Sequence, residues 1–100
     1  MTRDEVIRAL RTVLPELGDR YGVESLGVFG SVARGDAGAA SDVDVLIAFR
    51  KGVRYTMMTL TDVKDRLESV IDRRVDLVTD HDGLRPRFRA AVSRDLIRVA

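Results

Sequence analysis

The stretch Leu26-Gly27-Val28-Phe29-Gly30-Ser31-Val32-Ala33-Arg34-Gly35, followed after residues 36–40 by Ser41-Asp42-Val43-Asp44-Val45-Leu46-Ile47-Ala48-Phe49, carries most of the information in this chain. Its two ends read as strands. From Glu24 to Phe29, Leu26 and Val28 share one face while Gly27 and Phe29 share the other; from Val43 to Phe49, Val43, Val45, Ile47 and Phe49 alternate with Asp42, Asp44, Leu46 and Ala48. Between them, Gly30 lacks a Cβ and allows close approach of backbone to a ligand. The N–H groups and hydroxyl at Ser31 fall where a strand turns into a short helix, a place that suits a phosphate. Arg34 lies one helical turn further on and either adds a charge-assisted contact to an anion or braces the loop against an Asp. Asp42 and Asp44, two apart on a strand, project their carboxylates from one face, and two hard oxygen donors suit magnesium or manganese.

Working outward, Val75-Asp76-Leu77-Val78 holds the one comparable acid in a neighbouring strand, predicted over Arg73 to Thr79. Its alternation sets Asp76 opposite Val75 and Leu77, so three carboxylates are expected on one sheet face. Acids within apolar strands are costly unless paired or metal-bound. Taken singly, a Gly-Ser turn and an Asp-x-Asp are ordinary loop and strand-edge chemistry. Seven fixed residues at fixed spacing, each at roughly 7% usage, coincide by chance on the order of 10⁻⁸ per starting position.

The rest of the chain supplies helices. Thr2 and Glu5 fit a capping box, and Val6, Leu10, Val13 and Leu17 make one helical face. Pro15 is expected to kink or divide that helix near Leu14, and Gly18 and Gly22 to end it. Arg50 to Thr59 reads as a loop, with Thr59 or Thr61 capping a second helix whose stripe is Leu60, Val63, Leu67, Val70 and Ile71. An Asp80 to Gly83 turn leads to a last helix over Pro86 to Asp95, with Phe88, Val92 and Leu96 facing inward. The predicted class is α/β (α+β), a small mixed and mainly antiparallel sheet backed by helices, in a single domain spanning residues 1–100.

Composition narrows the function. The 100 residues hold 17 Lys plus Arg against 16 Asp plus Glu, a formal charge of +1, which argues against direct nucleic-acid binding through bulk electrostatics. With no Cys, thiolate metal sites, disulfides and cysteine nucleophiles are excluded. The longest apolar run, Val43 to Phe49, is broken by Asp44 and falls far short of the ~20 residues of a membrane helix. The acidic start, Met-Thr-Arg-Asp-Glu, is unlike a signal peptide, so a cytoplasmic location is expected. Three further features carry lesser readings. His81 beside Asp80 and Asp82 reads as an exposed turn residue rather than a metal ligand. Arg85 and Arg89 read as a solvated helix face before a docking patch. Tyr55, Met57 and Met58 fit core filling and partner contact equally well.

The Gly30-Ser31, Arg34-Gly35 and Ser41-Asp42-Val43-Asp44 elements with a later Asp76 resemble the minimal nucleotidyltransferases of the DNA polymerase β superfamily. The Leu26-Gly27-Val28-Phe29-Gly30-Ser31 run and the short length are most similar to the MNT antitoxins, partners of HEPN-domain ribonuclease toxins. Val45 stands where the family usually has Leu, a conservative change. The resemblance implies the minimal nucleotidyltransferase fold, with Asp42, Asp44 and Asp76 as catalytic acids holding two Mg²⁺ (or Mn²⁺) ions. It implies nucleotide binding by Gly30, Ser31, Arg34 and Ser41, with Ser31 and the Gly30 backbone on the β and γ phosphates and Arg34 ordering the loop first. It further implies transfer of AMP from ATP to a Tyr of a HEPN toxin, in a hetero-oligomer with it. Two alternatives remain at this point: a small-molecule nucleotidyltransferase like the aminoglycoside-modifying enzymes, which carry an extra helical domain, and an antitoxin that acts by binding alone.

Overall fold

The computed structural model describes residues 2–36, 38, 41–81 and 84–99. The chain runs α1 (Arg3–Tyr21), β1 (Val23–Phe29), α2 (Gly30–Arg34), β2 (Val43–Phe49), α3 (Met57–Ile71), β3 (Val75–Thr79), α4 (Pro86–Asp95) and β4 (Ile97–Arg98). The sheet order is β3-β2-β1-β4. β1 is antiparallel to β2 and β4, and β2 is parallel to β3, which is the mixed, mainly antiparallel sheet expected from sequence.

The capping box at Thr2 starts α1: Glu5 N–H donates to Thr2 Oγ1 at 3.2 Å, and Thr2 N–H to Glu5 Oε1 at 2.9 Å. Val6, Leu10, Val13 and Leu17 are all buried. Two expectations for this helix need correction. Pro15 does not divide it, because Arg11 and Pro15 are both exposed and water can reach the Arg11 carbonyl that loses its partner. Gly18 does not end it either. It is buried inside the helix, where a Cβ would stand 2.9 Å from Arg50 Nη2, while Arg50 Nη1 donates to the Gly18 carbonyl at 3.2 Å. Termination belongs to Gly22 alone, in the left-handed region at φ 77°.

One face of the sheet carries Leu26, Val28, Val43, Val45, Ile47 and Val75, packed with the buried stripes of α1 and α3. A bulge between Val23 and Ser25 shifts the alternation, so that Val23 is buried along with Leu26 and Val28. Arg66 clasps Glu16 with two hydrogen bonds of 2.8 and 2.9 Å and ties α3 to α1. Leu10 and Leu67 are fully buried at the centre of this layer. Either residue changed to Ala is expected to lower the unfolding free energy by about 2–5 kcal/mol in urea titrations, from lost burial plus the cavity left behind.

The cap of α3 also differs from expectation. Thr56 is the N-cap, and Thr59 is its partner three residues on: Thr56 Oγ1 accepts from Thr59 N–H at 3.3 Å, and Thr59 Oγ1 from Thr56 N–H at 3.1 Å. Thr61 instead bonds back to the Met57 carbonyl, inside the helix. The loop is therefore shorter than predicted, and Met57 and Met58, each 76% exposed, fill no core. Tyr55 stacks on Phe49 with ring centroids 4.2 Å apart. β3 begins at Val75 rather than Arg73, because Arg73 still belongs to the bend that follows the left-handed C-cap of α3 at Asp72, φ 53°.

On the opposite sheet face, α4 lies over β1. Phe88, expected to face inward, is 39% exposed and meets Phe29 edge-on at 6.2 Å. Leu96 falls just beyond the helix and covers Gly27. The two-residue β4 was not foreseen; Val99 after it is fully buried and donates to the Leu26 carbonyl at 2.9 Å. Asp82 and Gly83 of the expected Asp80 to Gly83 turn lie outside the described residues, as do Ala37, Ala39 and Ala40.

Candidate active site

The site forms where β1 ends and the chain enters α2. Phe29 is the register partner of Asp44 across the antiparallel pair, so the turn at Gly30 sits directly against that carboxylate. Gly30 has φ 74°, a conformation that favours glycine, and a Cβ there would collide with Asp44 Oδ2. The glycine anticipated for its closeness to a ligand is thus also required by closeness to an acid of the same chain.

Asp44 is in turn the register partner of Asp76 on the parallel neighbour β3, at the usual interstrand separation of about 4.8 Å. Asp42 precedes β2 by one residue. The expectation of buried acids needs revision: no charged residue is buried among those described, Asp42 and Asp76 are exposed, and Asp44 alone is half-buried. Asp42 and Asp76 avoid the burial penalty because this end of the sheet face is open to water, while Asp44 bears part of it. Burial raises the Asp44 carboxyl above its ordinary value, the charges of Asp76 and Asp42 raise it further, and Arg34 opposes them weakly. None of the three acids forms an ion pair among the described residues. Nor do any three His, Asp or Glu side chains stand close enough there to make a closed metal cage. The donor set nonetheless fits a hard divalent cation in chemistry: carboxylate oxygens only, like-charged, unpaired and accessible.

The other expected residues divide by what they already hold. Ser31, in the first turn of α2, has no partner for its hydroxyl among the described residues, while its carbonyl accepts from Asp36 N–H at 3.1 Å. Arg34 is engaged twice, with Asp36 at 3.1 Å and Asp95 at 2.8 Å, which ties α2 and its loop to α4. Of the two uses weighed for Arg34, this arrangement favours bracing the loop. Ser41 closes the loop ahead of Asp42: its Oγ accepts from Gly38 N–H at 3.1 Å and its own N–H donates to the Gly38 carbonyl at 3.1 Å. Arg85 and Arg89 are both exposed, as expected of a solvated face, and Arg89 also pairs with Asp80 at 3.2 Å and donates to the His81 carbonyl. A groove of about 250 Å³ between α3 and β3, lined by Met57, Leu60, Thr61, Lys64, Val75 and Leu77, opens beside Asp76.

Residues 10–98 match the nucleotidyltransferase domain family. The chain belongs to that family. Among its relatives is the protein adenylyltransferase MntA of Thermococcus cleftensis, 33% identical over 99 residues, a match that covers 99% of this chain and 97% of the relative. A solved structure assigned as a minimal nucleotidyltransferase superposes with a TM-score of 0.74 at 40% identity, covering 97% of this chain and 95% of the other. The MNT antitoxin bound to a tri-AMPylated HEPN toxin of Shewanella oneidensis shares the fold, with a TM-score of 0.59 at 17% identity over 98% of this chain and 68% of that one. This nucleotidyltransferase is therefore an enzyme of the minimal fold, as its Gly30-Ser31 and Asp-x-Asp elements implied. Among the described residues, no helix is long and apolar enough to cross a membrane.

Proposed function

We propose that this domain transfers AMP from ATP to a tyrosine hydroxyl of a HEPN-type toxin and so acts as its antitoxin in the cytoplasm. The observation that carries the proposal is the in-register pair Asp44 and Asp76 beside the Gly30-Ser31 turn, in a chain one-third identical to a protein adenylyltransferase. Support for the partner comes from the shared fold with an antitoxin bound to an AMP-bearing toxin.

In this reading Asp42, Asp44 and Asp76 would hold two Mg²⁺ or Mn²⁺ ions. When bound, such ions lower the pKa of an attacking hydroxyl and neutralise charge on the leaving group. The chain's own contribution is placement. The Ser31 hydroxyl and Gly30 backbone hold the β and γ phosphates, Arg34 and Ser41 keep the loop over them in shape, and Asp76 faces the incoming hydroxyl. The tyrosine oxygen bonds to the α-phosphorus, the bond from that phosphorus to the bridging oxygen breaks, pyrophosphate leaves and the phenolic proton passes to water. Alignment and charge neutralisation supply the rate, with no covalent protein intermediate.

The test is to incubate the protein with a cognate HEPN protein, Mg²⁺ and ATP labelled at the α-phosphate. Label is expected on a toxin tyrosine, with RNA cleavage falling in proportion. Cleavage that falls equally without ATP would instead mean neutralisation by binding alone. Label that reaches only a small hydroxylated compound would assign a small-molecule acceptor.

A further inference from the structure

We infer that Arg73 is a positioning residue of the transfer site, a clamp that sets the backbone on which Asp42 stands. The inference rests on the proposed function, in which Asp42 is a metal ligand. Arg73 Nη2 donates to the Ser41 carbonyl at 2.6 Å and to the Gly38 carbonyl at 3.3 Å. The next residue holds the other side: Val43 N–H donates to the Arg74 carbonyl at 2.9 Å. The peptide groups before and after Asp42 are therefore both anchored to consecutive residues, and those residues lead directly into Val75 and Asp76.

This arrangement makes the Asp42 backbone and the strand of Asp76 one unit. The Asp42 side chain is exposed and has no partner of its own among the described residues, so its position depends on its backbone. Among the described residues ahead of it, Gly38 and Ser41 are further anchored by their mutual bonds. Arg73 Nε is buried and makes no hydrogen bond among the described residues. A buried unpaired donor is unfavourable, and it persists here because the head of the same side chain is held on two carbonyls. The left-handed turn at Asp72 and the Glu68 carboxylate, which accepts from Val75 N–H at 2.8 Å, hold the segment that aims the arginine.

Arg73→Met and Arg73→Lys test the clamp, with Arg66→Met as a control that breaks only the distant pair to Glu16. Two readouts are needed: amide hydrogen exchange at Gly38 and Ser41, and Mn²⁺ binding in the presence of ATP followed by electron paramagnetic resonance. Groups that orient metal ligands are worth about 10–100-fold in affinity, so Arg73→Met should weaken Mn²⁺ about tenfold and speed both exchanges about tenfold. At saturating Mg²⁺ its kcat should stay within about threefold of the parent, since the clamp touches no reacting atom. Arg73→Lys, which keeps a donor and a charge, should recover part of both losses and serves alone if the Met variant does not fold. Faster exchange with unchanged Mn²⁺ affinity would reduce Arg73 to a structural brace, and unchanged exchange would remove the clamp itself; either outcome overturns the inference. A parent protein that binds no Mn²⁺ with ATP would overturn the proposed function instead, a result distinct from a variant that binds as the parent does.

Discussion

Asp44→Asn is expected to abolish nucleotide transfer while leaving the domain folded and, without divalent metal, more stable than the parent. Losing a group that merely orients a metal ligand costs about 10–100-fold, so, if Asp44 holds the metal as proposed, losing its ligand oxygen should cost on the order of 10³-fold in rate. The stability gain has an electrostatic origin. Partial burial and the charges of Asp76 and Asp42 raise the Asp44 carboxyl, so the folded state disfavours its ionised form. A raised folded-state value means that Asp44 is tolerated best when protonated, below the ordinary aspartate value of 3.8, and that the parent loses stability as pH rises through the elevated value. Thermal melts in chelator across pH 4 to 8 should therefore show the variant's advantage growing as pH rises from the ordinary aspartate value through the elevated one, then staying level. Mg²⁺ plus ATP should raise the melting temperature of the parent and barely move that of the variant. Equal responses would show that Asp44 is not in the site. Asp76→Asn should keep part of the ATP response and lose transfer, if Asp76 faces the acceptor as proposed.

Gly30→Ala should damage both the fold and the site, and Gly35→Ala supplies its control. Both glycines are left-handed, at φ 74° and 82°, and an alanine in that region costs roughly 1–2 kcal/mol. They differ in what the methyl would meet: open space at Gly35, and the Asp44 carboxylate at Gly30. Gly35→Ala should thus lose stability and keep its transfer rate at temperatures where it is folded. Gly30→Ala should lose stability and, by displacing the carboxylate proposed to hold the metal, about 100-fold or more in rate. Chemical denaturation and initial-rate assays on the pair separate the two effects. Equal rates would mean that Asp44 moves aside without consequence.

Much of this was legible in one dimension. The alternation of Val43, Val45 and Ile47, the stripe through Val63, Leu67 and Ile71, the cap at Thr2 and the Gly30-Ser31 turn are patterns of two to four residues, and their spacing alone says which side faces the core. The failures were also local in origin. At Pro15, Gly18 and the cap of α3, residue type points one way, whereas solvent at Arg11, the guanidinium of Arg50 and the partner of Thr56 decide the outcome.

The sequence by itself determined the helices and three of the four strands, because each follows from a local period, and it set Asp42 and Asp44 at the start of β2 beside the Gly30-Ser31 turn, because that motif is dense. Only the tertiary structure decided that Asp44 stands in register with Asp76, that Gly30 must lack a side chain to admit Asp44, that Arg34 reaches Asp95, and that Arg73 holds Ser41. β4 belongs with these, since two residues carry no period and pair only because β1 presents an open edge to them. The physical reason is one of range. Periodicity records which face of an element is apolar, but a hydrogen bond between residues 32 or 61 positions apart exists only once strand order has brought their elements together.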